Sequence, residues 1–435
     1  MRSSLRVCLA LLLLFPVLTG CMGKEERAIT FAVGGAPAEL EFWEELLREF
    51  EAGSGVRVNV MRQPTDTDQR RQGLVISLAA QKEDPDVLLM DVVWLAQFAA
   101  SGWLVPLDGY ARAEGDAGAA LDVFFPNVLD RADRYQGELI ALPVYVDGGL
   151  LYYREDVLRR LGVTAPPQTW DQLVQYSLSA QEAIRPDNPH FFGFLWQGAQ
   201  YEGLICNFLE FAGSNGGGIV SDNGTIAIDT PENVAAARFM VDLIHRWRVS
   251  PPSTFTEMKE EEVRIAFQQG NGLFERNWPY AWPLHESAGS PVRMRTGIGL
   301  LPHFPGGRSV ATLGGWHVGI SQYSDQKELS WKLVRFLVSC ETQRKLALKL
   351  GWTPGRRDLY HDPLLLAELP HFAALQTVFE NARPRPLLPF YTQVSEVLQR
   401  YLNAALAGRL TPEAALAAAD RDVRSIVSRY GKEQP

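Results

Sequence analysis

The chain has 435 residues, a formal net charge of −9 and 46% hydrophobic residues, more than one core usually serves, so two lobes are expected. The acidic balance argues against nucleic acid or an anionic membrane surface as the main partner. Four cysteines and seven scattered histidines offer neither a disulfide framework nor a ligand-spaced metal site.

Arg2 and Arg6 precede an apolar run over 7–15 that is too short to span a bilayer as a mature helix. The run leads to Leu18-Thr19-Gly20-Cys21, which resembles a bacterial lipobox and implies cleavage before Cys21 and lipidation of its thiol. An ordinary secretory signal with a chance cysteine is the blander alternative. Acyl chains anchor through about 0.8 kcal/mol per buried methylene, and stable anchoring needs more than one chain. Residues 1–20 are then a lipoprotein signal peptide and 21–27 a lipidated tether. The expected location is extracytoplasmic, lipid-anchored to the cell membrane. Loss of Arg2 and Arg6 takes the net charge from −9 to about −11. Cys206 and Cys340 remain, in apolar helical contexts that suit buried free thiols.

Residues 28–33 read as a strand ending at Gly34-Gly35-Ala36-Pro37. Leu40, Trp43, Leu47 and Phe50 follow at helical spacing, and 56–60 is the next strand. This βαβ order predicts a parallel sheet, whose ligands sit beyond the carboxyl ends of its strands. Glu39 occupies that edge, although a first-turn acid is also favoured by the helix dipole. Thr65 or Thr67 can cap the helix carrying Leu74 and Leu78. The apolar strand 87–90 ends at Asp91, a second carboxylate at a strand end, as able to bind a ligand as to cap the next helix.

In 142–154, Tyr145 and Asp147 stand before Gly148-Gly149, where the backbone can bend sharply or approach something closely, and a strand over 150–153 follows. Alone, Asp147 is an ordinary turn acid. The second lobe is expected to begin here, with helices over 156–161, from Thr169-Trp170-Asp171, toward Phe211 and over 231–247, and a strand over 191–196. Residues 271–282 carry Trp278, Tyr280 and Trp282 around Pro279. That pattern suits either an aromatic core cluster or a sugar site, where pyranose C–H faces pack on rings and charged groups take the hydroxyls. Gly314-Gly315-Trp316 adds another aromatic beside exposed backbone amides. Two arginines flank Pro384 in Arg383-Pro384-Arg385-Pro386, and the final helices have ordinary core spacing.

These stretches carry a family likeness. Phe31-Ala32-Val33-Gly34-Gly35-Ala36-Pro37, Thr65-Asp66-Thr67, Gln69-Arg70-Arg71, Met90-Asp91-Val92 and Ala141-Leu142-Pro143-Val144-Tyr145 contribute to it. So do Gln200-Tyr201-Glu202-Gly203-Leu204, residues 275–282, Thr312-Leu313-Gly314-Gly315-Trp316-His317 and Pro384-Arg385-Pro386. The chain resembles the extracellular solute-binding proteins of ABC sugar importers, in the maltose-binding-like group and nearest to its trehalose/maltose binders. The resemblance implies an α/β, two-lobed periplasmic-binding-protein fold, each lobe a mostly parallel sheet flanked by helices and joined by hinge strands. Lobe 1 would comprise 28–141 and 298–343, and lobe 2 142–297 and 344–435. It further implies a disaccharide held by Glu39, Thr65, Arg70, Asp91, Gly314, Gly315 and Trp316 from the first lobe. Tyr145, Asp147, Trp278, Tyr280 and Arg385 would come from the second. The implied partners are a trehalose- or maltose-like ligand and ABC permease subunits, with no cofactor, no metal and a monomeric state. The rival class is a secreted glycoside hydrolase, since paired acids in a sugar cleft are what that reaction uses. Arginine partners for the acids would oppose it, by keeping them ionised and poor as general acids. An adhesion or scaffold lipoprotein is the third class, and would give no small-molecule thermal shift.

Overall fold

The computed structural model describes residues 28–113, 121–221 and 224–433. The expected signal peptide and tether, with Cys21, lie outside the described residues. Twelve strands form two larger sheets and one short hairpin among these residues.

The first sheet is built from β1 (Ala28–Gly34), β2 (Arg57–Gln63) and β3 (Val87–Asp91), all mutually parallel where they pair. The helix Pro37–Ser54 makes the first crossover. Pro37 occupies its first turn, Glu39 Oε2 accepts from the Ala36 N–H at 2.8 Å, and Gly55 ends it at φ 67°. Its buried face (Trp43, Leu46, Leu47) packs on the sheet, with the Trp43 ring edge-on to Phe31 at 5.8 Å. Burying each such side chain contributes roughly 1.5–3 kcal/mol. The second crossover helix, Thr67–Ala79, is capped by Asp66 rather than by either neighbouring threonine: its carboxylate accepts from the Gln69 N–H at 3.0 Å.

After the hairpin of β4 (Arg134–Tyr135) and β5 (Glu138–Leu139), β6 (Leu142–Gly148) returns to the first sheet. It pairs antiparallel with a later strand, β11 (Thr312–Ile320). The chain therefore crosses to the second lobe at Gly148–Gly149 and not at Leu142, so Tyr145 and Asp147 stand on the first sheet. Strands β7 (Leu150–Arg154), β8 (Phe192–Leu195), β9 (Gly272–Asn277) and β10 (Thr296–Gly299) form the second sheet in the order β10-β7-β9-β8. Strand β10 thus stays with the second lobe, and the return crossing follows it. Residues 357–381 also differ from the expected division: Tyr360 and Phe379 pack on Phe125, ahead of β6.

Both sheets are mixed rather than mostly parallel. Strand β11 runs antiparallel to β3 as well as to β6, while β12 (Arg383–Pro384) adds parallel to its beginning. In the second sheet only β8–β9 is parallel. The physical reason is the crossings: strands that enter or leave a lobe directly need no helical crossover, so nothing forces them parallel. Helices Trp170–Ile184, Glu202–Gly213 and Pro231–His245 cover the second sheet, around a cluster of Trp170, Trp196, Phe211 and Phe239. Cys206 is buried there and Cys340 half-buried at a helix start; both are free thiols.

The first crossing is held by a buried ion pair. Arg276 of β9 meets Glu210 at 2.5 and 2.8 Å, with both side chains 1% exposed. Glu210 Oε1 also accepts from the Thr312 N–H at 3.1 Å, where β11 begins. A Cβ at Gly149 would lie 2.0 Å from Glu210 Oε1 and 2.7 Å from Arg276 Nη2. The close approach that the paired glycines permit is to this ion pair. Gly149→Ala is expected to destabilise the protein by about 3 kcal/mol or more, because it displaces one partner of a buried pair. Urea unfolding curves measure this, and an unchanged midpoint would contradict the contact.

Candidate functional site

Strand register gathers the site. On β11, Trp316 is opposite Asp91 on one side and Tyr145 on the other, and Gly314 is opposite Asp147. Alternate residues of a strand share a face, so Gly314, Trp316, Asp91, Tyr145 and Asp147 project to one side of the sheet. Leu313 pairs with β6 on one edge and with β12 on the other, which puts β12 end to end with β3. Asp91 and Arg385, nearly 300 residues apart in sequence, become neighbours for that reason. Gly315 has φ +124°, and a Cβ there would lie 2.5 Å from the Tyr145 carbonyl oxygen, so only glycine fits.

A cavity of about 290 Å³ opens on this face, near the lower end of the roughly 300–1,000 Å³ range of small-molecule sites. The first sheet and its loops line it with Gly34, Glu39, Thr67, Arg70, Asp91, Tyr145, Asp147, Gly314, Gly315 and Trp316. Trp278, Tyr280, Glu260, Tyr201, Glu202, Gly203 and Cys206 close it from the second lobe, and Trp352 and Arg385 from connecting segments. Eleven of the twelve expected binding residues therefore meet around one cavity. Thr65 does not: it is exposed, with its hydroxyl 3.5 Å from the Gly35 carbonyl, and Thr67 reaches the cavity instead.

The aromatic walls are braced from behind. Arg276 lies 3.9 Å over the Trp278 ring, whose Nε1–H points to Glu260 at 3.4 Å. Trp94 meets Trp316 edge-on at 5.4 Å, and the Arg70 guanidinium lies 4.6 Å over the same ring. Trp352 stacks on Tyr145 at 4.2 Å, and the Tyr280 hydroxyl donates to Glu261 at 2.7 Å. Burial, and then the Glu261 carboxylate, push the Tyr280 hydroxyl far above its ordinary range, so it remains a donor.

The charged groups divide into paired and poised. Arg70 is buried and donates to the Pro64 and Thr65 carbonyls at 2.5 and 3.1 Å, which pins the loop before its helix. Asp91 fills both roles open to it in sequence, accepting from the Val93 N–H at 2.9 Å and from Arg385 at 3.0 Å. Glu39 likewise caps its helix and lines the cavity; burial raises its pKa, against the Ala36 N–H and Arg70. Among the described residues no arginine forms an ion pair or hydrogen bond with Asp147, and Arg276 acts on it only through its field, which favours the ionised form. Thr353 lies 3.5 Å away, and burial, then repulsion from Asp91, push the carboxyl up to about 7. The expectation that every candidate acid carries an arginine partner therefore fails at Asp147.

Sequence reasoning missed Thr67, Tyr201, Glu202, Glu260 and Trp352. Tyr201 and Glu202 lie in a stretch already singled out for its family likeness, which was the available signal. Glu260 opens a helix behind Lys259, where a first-turn acid is unremarkable. Trp352 sits in a loop with no local pattern to mark it. Among the described residues, no group of three or more His, Cys, Asp or Glu is arranged to hold a metal ion, and no helix is long and apolar enough to cross a membrane.

Comparison with known proteins agrees with this architecture. Residues 35–344 match the family model described as bacterial extracellular solute-binding protein. A relative in Deinococcus radiodurans, described as a probable ABC transporter-binding protein, is 34% identical over 380 residues, covering 86% of this chain and 88% of its own. The maltose-bound MalE3 of T. maritima superposes with a TM-score of 0.84 at 40% identity, covering 92% of this chain and 99% of that one. A solute-binding protein of Thermotoga lettingae, bound with α-D-tagatose, gives 0.80 at 28% identity, with 92% and 99% covered. The α/β, two-lobed periplasmic-binding-protein fold is shared with these structures. The chain belongs to the bacterial extracellular solute-binding proteins, the substrate-binding components of ABC transporters.

Proposed function

We propose that this protein captures an α-glucoside disaccharide, trehalose or maltose, between its lobes and delivers it to the permease subunits of an ABC importer. The observation that carries the reading is the cavity itself, where Trp278, Tyr280 and Trp316 offer aromatic faces beside Asp91, Asp147 and Arg385. Aromatic faces take the apolar sides of a pyranose, and fixed charged groups take its hydroxyls. Similarity to a maltose-bound protein at 40% identity supports the same ligand class. In this reading Arg70 holds the cavity loop and offers its remaining donors. Docking on one lobe, followed by contacts from the other, shifts the balance toward a closed form. Lipidation at Cys21 would keep the monomeric protein beside its permease, without a cofactor.

Calorimetric titration of the purified mature protein against trehalose, maltose, sucrose and mannitol tests this reading. Saturable binding of a glucoside disaccharide is expected, and no heat with any of the three disaccharides would sink it. Asp147→Ala and Trp278→Ala are each expected to weaken binding at least about tenfold, by removing an acceptor and a stacking face. Their circular dichroism should match wild type.

The raised pKa of Asp147 sets a pH dependence. Folding holds a proton on this carboxyl that the unfolded chain releases, so stability falls as pH rises from about 4 to 7. Sugar hydroxyls donating to the carboxylate favour its ionised form, so binding near pH 6.5 should release a proton and weaken as pH falls. The limit is about tenfold per pH unit. Titration in buffers of different ionisation enthalpy reads the proton directly. In Asp147→Asn the release should vanish; its persistence would assign the proton elsewhere.

A raised carboxyl pKa is also what a glycosidase acid requires, and that favours the hydrolase as second reading. Glucose released from trehalose or maltose on incubation would establish it in place of transport.

A further inference from the structure

Arg385 is almost fully buried, with its side chain 4% exposed, and it is shared between two carboxylates. Its Nη2 donates to Asp91 Oδ1 at 3.0 Å, and its Nη1 to Glu202 Oε1 at 3.1 Å. The two acids belong to different lobes. Asp91 ends β3 of the first sheet, while Glu202 begins the helix Glu202–Gly213 in the second-lobe core. Arg385 lies just after β12, in the segment leading to the second-lobe helix Tyr391–Leu406.

Each carboxylate is also oriented by its own lobe. The Val93 N–H holds Asp91 at 2.9 Å. On the other side, the Tyr391 hydroxyl donates to Glu202 Oε1 at 2.7 Å and the Ser395 hydroxyl donates to Oε2. The Arg385 Nε–H is buried with no hydrogen-bond partner among the described residues, and the residue lines the cavity. A buried donor without an acceptor is costly, so the enclosed guanidinium depends on its two carboxylates.

We propose that Glu202 is the second-lobe arm of an inter-lobe latch, Asp91–Arg385–Glu202, which favours the closed arrangement of the lobes and so retains a ligand held between them. Parting the lobes leaves Arg385 with at most one of its two carboxylates, so opening breaks a charge-assisted bond. Against an apolar replacement such a pair gives little stability, but leaving one buried charge without its partner is costly. Its effect falls on which arrangement of the lobes is populated. Glu202 is thus a positioning residue, acting on the ligand through Arg385. The retention of ligand rests on the sugar-capture reading; the latch itself does not.

The test uses the purified mature chain and Glu202→Gln, which keeps the shape of the side chain and removes its charge. Small-angle scattering without ligand should show a larger radius of gyration than wild type. Stopped-flow fluorescence with the disaccharide of highest affinity should show dissociation about tenfold faster, with association changed less than about threefold. A merely structural role would not separate the two rates. Scattering superimposable on wild type would overturn the latch, and an unchanged dissociation rate would overturn its coupling to ligand. Should Glu202→Gln fail to fold, Arg385→Lys carries the same measurements, since lysine keeps the charge but cannot hold two carboxylates in a fixed fork. If the wild type binds no disaccharide, the sugar-capture reading fails, and scattering alone still decides the latch.

Discussion

The Glu210–Arg276 pair is the constraint on which the two-lobed arrangement depends. It lies where the chain leaves the first sheet, against the bare backbone of Gly149, and its carboxylate also holds the Thr312 N–H where the return strand begins. One buried carboxylate therefore ties the outward crossing at Gly149 and the return at Thr312 to the second lobe. The guanidinium meanwhile lies against the back of Trp278, so the same pair props a wall of the cavity. The crossing and the cavity wall are held by a single set of charges. A buried ion pair contributes little to net stability against an apolar substitute, but losing one partner leaves an uncompensated charge, and that makes the geometry exacting.

From that crossing outward, the ladder does the gathering. Strand β11 pairs with β6, β3 and β12, so residues from four distant parts of the sequence come to one face within a few ångströms. The chemistry that results is uneven by design of the surroundings. Asp91 is paired with a guanidinium, whereas Asp147 has a threonine hydroxyl, the like charge of Asp91 and only the field of Arg276. A carboxyl poised near neutrality responds strongly to any donor a ligand brings, and one already paired does not.

Much of this was legible in the residues. The βαβ order at the start, the strand-end acids, the Gly148-Gly149 approach and the aromatic run over 278–282 each had a local physical signature. Family likeness turned those signatures into a cavity, and eleven of twelve named residues line it. Thr65 does not line the cavity, whereas Thr67, in the first turn of the helix that Asp66 caps, does. Trp352 and Glu202 escaped because a loop tryptophan and a helix-initiating glutamate have sufficient local explanations. Nothing near them in sequence reveals Tyr145, or Arg385 nearly 200 residues away.

Sequence alone pointed to the α/β order of the first lobe and to the chemical types gathered at the site, which follow from local periodicity and side-chain chemistry, and the family likeness supplied the two-lobed fold. Only the tertiary structure decided which sheet carries Tyr145 and Asp147, which acids are paired, and that Arg385 bridges the lobes. Strand pairing is a long-range choice, settled by register across β11. The charge state of a carboxyl depends on what burial and pairing bring beside it, and neither is written in its neighbours along the chain.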